Sequence, residues 1–236
     1  MKSTIIGMCI FLFIFSARAG TFLDTFDDEE LVHWQKLIMF GFDLPPGPWE
    51  IIDGELQIVN RGVTRLLTIG EETWQDYDIE FDVKPLEKHG PGNIVIAARI
   101  KGTSGVICGI SDIADPLAEP IAECLGGNLH GRDFLAYDQK PHGLLKLRKW
   151  VTFQLSVHGK HLTFSINGKQ VLAPIALEPI DRFPEFPTGR IGLGLGGYTA
   201  RFDNFKVTGP DILNKDRLSV TPREKLAMTW AILKRF

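Results

Sequence analysis

Residues 78–83 read Asp78-Ile79-Glu80-Phe81-Asp82-Val83. Acids and apolar residues alternate strictly, and a period of two is that of an extended strand, whose successive side chains point to opposite faces. Tyr77, Ile79, Phe81 and Val83 then share one face, and Asp78, Glu80 and Asp82 share the other. Three carboxylates on one face are either a site for acid–base chemistry or the wet half of a strand. Burying three like charges would raise their pKa values against one another and destabilise the strand. The alternation therefore predicts an antiparallel sheet whose apolar face enters a core and whose acids face water.

The same signal repeats outward. Trp49-Glu50-Ile51-Ile52, Asp53-Gly54 and Glu55-Leu56-Gln57-Ile58-Val59 make a hairpin around a DG turn. The runs 150–157, 161–166 and 169–172 are joined by His158-Gly159-Lys160 and Asn167-Gly168, and predict three strands in succession. Two more strands are predicted over 189–197 and 200–207. The glycines at 192, 194 and 196 spell GxGxG, but no helical pattern follows, so they indicate a closely packed strand rather than a dinucleotide fingerprint. Short strands at regular intervals, with hardly any helical periodicity before residue 210, predict an all-β, two-sheet antiparallel sandwich. Residues 101–148 are less regular, with Pro116, Pro120, Gly126-Gly127 and Pro141, and are expected to hold insertions and binding loops.

The chain divides into three parts. Residues 1–19 carry Lys2, an apolar run from Ile5 to Phe15 and the small-x-small tripeptide Ala17-Arg18-Ala19, the pattern of a cleaved signal peptide. A secreted or periplasmic protein with no transmembrane span after cleavage is expected, since the run is too short for a membrane helix. The sandwich domain covers 20–209. The tail 210–236 opens with the capping box Thr221-Pro222-Arg223-Glu224 and places Leu226, Trp230 and Leu233 at helical spacing, which predicts a short amphipathic helix.

Cleavage would remove Lys2 and Arg18 and no acid, leaving 24 basic against 29 acidic residues, a net charge of −5. Neither that balance nor any Lys/Arg cluster in the body of the chain gives the basic footprint of a nucleic-acid binder, so a nucleic-acid partner is not expected. It would also leave Cys108 and Cys124, an even pair in an exported protein that can form a disulfide or stay as two buried thiols.

In order, Thr25-Phe26-Asp27-Asp28, Trp49 with Ile52-Asp53-Gly54-Glu55-Leu56, Trp74 to Lys84, Ile94 to Ile100, Phe164 to Lys169, Gly189 to Leu193 and Phe202 to Val207 resemble the concanavalin A-like lectin/glucanase superfamily. More narrowly, the chain is similar to laminin G-like domains and to the 3-keto-disaccharide hydrolase domain of secreted bacterial proteins. The resemblance spans residues 22–208 and implies a jelly-roll sandwich with glycan binding or cleavage on one sheet or its rim. It also implies a pocket arginine and an acidic strand, for which Arg99 and Glu123 are the nearest matches, and a structural Ca²⁺ between first and last strands, held by Asp203 with Asp27 or Asp28. Glucanase relatives carry Glu, Asp and Glu where residues 78–82 have Asp, Glu and Asp.

From the residues themselves, Gly126-Gly127-Asn128-Leu129-His130-Gly131-Arg132-Asp133 gathers planar hydrogen-bonding groups among glycines. Asn128, His130, Arg132 and Asp133, with Tyr137 or Phe134 as aromatic platform, suit a sugar. No HExxH zinc spacing and no Ser-His-Asp or Cys-His signature is present. The expected function is a noncatalytic module binding carbohydrate or another extracellular ligand. The alternatives are a glycoside hydrolase using Arg99 and Glu123, and a structural or adhesion module of an envelope assembly.

Overall fold

The computed structural model describes residues 19–27, 30–39, 48–113, 119–131, 133–178, 185–212 and 215–216. The expected signal peptide up to residue 18, Asp28, Arg132 and the expected C-terminal helix lie outside the described residues. Within them the secondary structure is all strand: β1 Gly20–Asp24, β2 Gln35–Ile38, β3 Trp49–Ile52, β4 Glu55–Asn60, β5 Arg65–Ile69, β6 Tyr77–Lys101, β7 Ser104–Ser111, β8 Ile121–Asn128, β9 Asp133–Pro141, β10 Val151–His158, β11 His161–Ile166, β12 Lys169–Gln170, β13 Ile175–Ala176, β14 Arg190–Gly209 and β15 Lys215–Asp216. No helix among them is long and apolar enough to cross a membrane.

Two long strands organise the fold. β6 and β14 pair antiparallel along most of their length, from Arg190 opposite Ile100 to Thr208 opposite Asp78. The first half of β6 continues through β10, β11 and β12, while the end of β14 continues through β1 and β15. The second half of β6 pairs β7, then β8 and β9, and the start of β14 pairs β5, then β2. The two layers of the sandwich thus share one pair of strands. Residues 78–84 and 94–100, and likewise 189–197 and 200–207, are not separate strands as their spacing predicts. The pairing shifts register between Gly196 and Tyr198 and between Thr199 and Ala200, and Gly197 takes a φ of 69°. Such bulges let a strand bend without leaving its ladder.

Both layers turn their apolar faces to one core. Tyr77, Ile79, Phe81 and Val83 are at most 1% exposed. Phe81 lies with its ring centroid 5.6 Å from Phe153, 5.7 Å from Phe202 and 5.9 Å from Phe205. Ile94, Ile96 and Ala98 of β6 join the same cluster from the other layer, with Cys108 and Cys124.

The polar half of residues 78–83 forms a cross-strand ladder. Ser156 Oγ donates to Asp78 Oδ1 at 2.5 Å, Gln154 Nε2 to Glu80 Oε2 at 2.7 Å and Thr152 Oγ1 to Asp82 Oδ1 at 2.6 Å. Asn204 Nδ2 adds a bond to Asp82 Oδ2 at 2.9 Å. The acids are bonded on the outside of the sheet by these polar partners, and His158 Nε2 also stands 3.2 Å from Asp78 Oδ1.

Residues 101–148 depart from the expectation of binding loops. They hold β7, β8 and β9, three regular antiparallel strands. The second face of this layer is also covered, by a smaller cluster of Met39, Leu66, Val95, Ala97, Ile100, Ile107 and Leu129. Strands buried on both faces lose the in–out alternation that betrays a strand, so Val106-Ile107-Cys108-Gly109-Ile110 is nearly continuous in apolar residues. Gly192 and Gly194 sit in this layer, where an added Cβ would stand 2.5 Å from Leu67 O or 2.2 Å from Arg65 O; the spacing read as close packing is just that.

Candidate functional site

Cys108 and Cys124 face each other across the β7–β8 ladder and are joined by a disulfide, with Cα atoms 4.1 Å apart. Both are fully buried, so the bond staples the core and is not presented at a surface.

Arg99 is not a surface cation. It is 1% exposed, the largest of the fully buried side chains. The chain bulges between Ala98 and Lys101, which gives Arg99 a φ of 54° and turns its side chain out of the ladder. Nη1–H donates to Phe186 O and Nη2–H to Gly159 O, each at 3.1 Å, and Nη2 lies 3.7 Å from Asp76 Oδ1. Nε has no partner among the described residues. The Tyr77 hydroxyl accepts from Arg99 N at 2.8 Å, and burial pushes it well above the ordinary phenol range. Asp76, Lys160, Glu185, Phe186 and Arg99 line a cavity of about 230 Å³.

Glu123 is elsewhere. It stands on β8 opposite Gly109, which stands opposite Val95, four residues before Arg99 on β6. Two strand spacings and four residue rises put the two backbones on the order of 15 Å apart. The Glu123 side chain is half-buried; burial pushes its pKa up, while a hydrogen bond from Ser111 pulls against that shift. The structure does not bring Arg99 and Glu123 into one pocket.

The residues of the glycine-rich segment form the β8–β9 hairpin, with Asn128 opposite Asp133. Gly126, Gly127 and Asn128 belong to β8, and Asp133, Phe134 and Tyr137 to β9. Asn128 Oδ1 accepts from His130 N at 3.1 Å and from Gly131 N at 3.2 Å, capping its own turn. The His130 ring Nδ1 meets Ile38 O at 3.2 Å, tying this turn to the end of β2 at the opposite edge of the layer. Tyr137 packs on the main core, over Gly126, whereas Phe134 packs on the smaller cluster across the sheet. The two aromatic rings offered as a platform lie on opposite faces.

Asp27 accepts from Thr25 Oγ1 at 2.7 Å, and Asp203 from Asn204 N at 2.7 Å. Among the described residues no group of three or more His, Cys, Asp or Glu could hold a metal ion, so these carboxylates do not by themselves fit the six or more oxygens of a Ca²⁺ site.

A site that spacing does not single out lies at the edge of the β10–β11–β12 layer. The end of β9, the connection 142–150 and the β11–β12 turn enclose a groove of about 560 Å³, lined by Lys140, Lys146, Lys149, Trp150, Asn167 and Lys169 among others. Trp150 is 42% exposed, and Lys84 Nζ stands 4.3 Å from its ring centroid, bracing one face by a cation–π contact. Asn167 and Gly168 take φ of 52° and 72°, the left-handed pair of a tight hairpin turn. Asn167 Oδ1 accepts from Thr152 N at 2.9 Å and Gln170 Nε2 donates to Leu172 O at 2.7 Å. The run Lys146-Leu147-Arg148-Lys149-Trp150 holds three cations in four residues beside an exposed indole. It is the basic cluster that the sequence reading passes over.

Solved structures share the architecture at low identity. The carbohydrate binding module CBM66 from Bacillus subtilis is 15% identical, over 74% of this chain and 94% of that one, with a TM-score of 0.54. A galectin-like-fold protein of unknown function from Bacillus subtilis is 16% identical over 80% and 96%, with a TM-score of 0.54. The metal-free carbohydrate recognition domain of Emp46p is 9% identical over 80% and 95%, with a TM-score of 0.55. These likenesses establish the jelly-roll fold. No curated protein matches the chain. The match that reaches beyond fold is to a sequence-family model covering residues 21–208, from β1 through nearly all of β14, and by it this chain belongs to the 3-keto-alpha-glucoside-1,2-lyase-like domain family.

Proposed function

We propose that this domain is a noncatalytic carbohydrate-binding module of an exported protein, with residues 1–19 as its leader. The observation that carries the reading is the groove at Trp150. An exposed, braced indole beside amide groups and ammonium donors is the chemistry that holds a sugar, because the C–H face of a pyranose packs on an aromatic ring while its hydroxyls take hydrogen bonds. A glycan array probed with the full chain and with Trp150→Ala tests the proposal. Sugar binding lost in the variant is the expected result, and an array without signal for either protein removes the reading.

The second reading, a lyase or glycoside hydrolase, is favoured by the family itself and by the half-hidden carboxyl of Glu123, whose raised pKa suits an acid that must hold its proton. Release of reducing sugar from a 3-keto-disaccharide, abolished in Glu123→Gln, would establish it in place of the binding module. A structural Ca²⁺ at Asp27 and Asp203 stands as a proposal whose remaining oxygens come from groups beyond these two carboxylates. A melting temperature unchanged by EGTA would remove it.

A further inference from the structure

We infer that the groove at Trp150 selects anionic oligosaccharides, those bearing uronate carboxylates or sulfate esters. This rests on the carbohydrate reading above and narrows its ligand class. Lys140, Lys146, Lys149 and Lys169 bring four ammonium groups to one groove, and no Asp or Glu lines it. The lysine ion pairs among the described residues belong to Lys84, Lys88 and Lys160, so none of the four is neutralised there. The patch also runs against the background, because the chain as a whole carries a net charge of −3.

The cluster is a product of the fold. Lys140 is the penultimate residue of β9, Lys146 and Lys149 sit on the connection before β10, and Lys169 opens β12 after the Asn167-Gly168 turn. Like charges gathered at one groove repel, and a ligand anion relieves that repulsion. A bare polyanion would satisfy the lysines alone. Trp150, within the same lining and 42% exposed, adds a stacking surface that only a ring-bearing ligand uses. Charge and ring together specify an acidic sugar.

The test is calorimetric titration of the full chain with two matched pairs: oligogalacturonate against its methyl ester, and sulfated dextran oligosaccharide against dextran of equal length. Inorganic polyphosphate serves as a charge-only probe. At least one charged sugar should bind about tenfold more tightly than its neutral partner and weaken about tenfold between roughly 50 and 300 mM salt. Lys146→Glu with Lys149→Glu, and separately Trp150→Ala, should each lower that affinity about tenfold, with unchanged melting temperature, as expected for exposed side chains. Equal binding of the neutral partners overturns this inference and leaves the carbohydrate reading standing. Polyphosphate binding as tightly as the charged sugars, with Trp150→Ala silent, also overturns it, because the groove would then sense charge alone. Failure to bind any sugar overturns both.

Discussion

Replacing Arg99 by Met keeps most of the side-chain volume and removes the guanidinium. Two hydrogen bonds from a charged donor, to Phe186 O and Gly159 O at 3.1 Å, contribute about 1.5–3 kcal/mol each. Against them stands Nε, buried with no partner among the described residues, which costs about 1–3 kcal/mol. The 3.7 Å approach to Asp76, whose side chain is 40% exposed, adds less than about 1 kcal/mol. Arg99→Met should therefore destabilise by about 2–4 kcal/mol, seen in urea unfolding followed by tryptophan fluorescence as a lower midpoint at constant slope. Backbone strain gives an internal control. At a φ of 54° a glycine is relaxed where an alanine is not, so Arg99→Gly should unfold at higher urea than Arg99→Ala, by about 1 kcal/mol. An Arg99→Met variant as stable as the parent would mean that dehydrating the guanidinium outweighs its bonds, as in other buried ion pairs; the structural role argued here would then fall.

The two faces of residues 78–83 should respond oppositely to truncation: Ile79→Ala by about 2–5 kcal/mol, Glu80→Ala by less than about 1 kcal/mol, both read by the same unfolding assay. Equal losses would contradict the division into core and wet faces. Glu123 has a folded-state pKa raised by burial, so its contribution to stability is complete below the ordinary glutamate value and is lost as pH rises through the folded one. Glu123→Gln should accordingly gain stability relative to the parent at neutral pH and lose that advantage near pH 4; melting curves across this range check the sign. Reducing the disulfide, whose cysteines are 16 residues apart, should lower stability by about 3 kcal/mol in the chain-entropy model, and Cys108→Ala with Cys124→Ala should be insensitive to reductant.

The strands around Asp53-Gly54, Gly159 and Asn167-Gly168 were readable because turn residues and period-two alternation are local signals, and they fall where β3–β4 and β10–β12 occur. The middle of the chain was not readable in the same way. Ile107 and Leu125 belong to strands whose second face is covered by Met39, Leu66 and Leu129, and that cover arrives from distant parts of the chain. Without knowing it, a run such as Val106 to Ile110 has no distinguishable inside.

Site residues were harder still, for a related reason. Arg99 looks like an ordinary strand-end cation, and only the bulge that sets its φ, together with Phe186 and Gly159 from other elements, makes it a buried group. Tyr137 and Phe134 are three residues apart on β9, an odd separation that a strand's period of two sends to opposite faces, where they pack on different clusters.

By itself, the sequence determined which face of each alternating strand enters the core, where the hairpins turn, and therefore that the protein is an antiparallel sandwich. Hydrophobic periodicity and turn stereochemistry act between near neighbours, so a single chain displays them. Only the tertiary structure decided that β6 and β14 run through both layers, that Arg99 is buried while Glu123 lies strands away, and that four lysines from three segments converge beside Trp150. Each of these depends on register and on contacts between residues far apart in the chain, which no local pattern encodes.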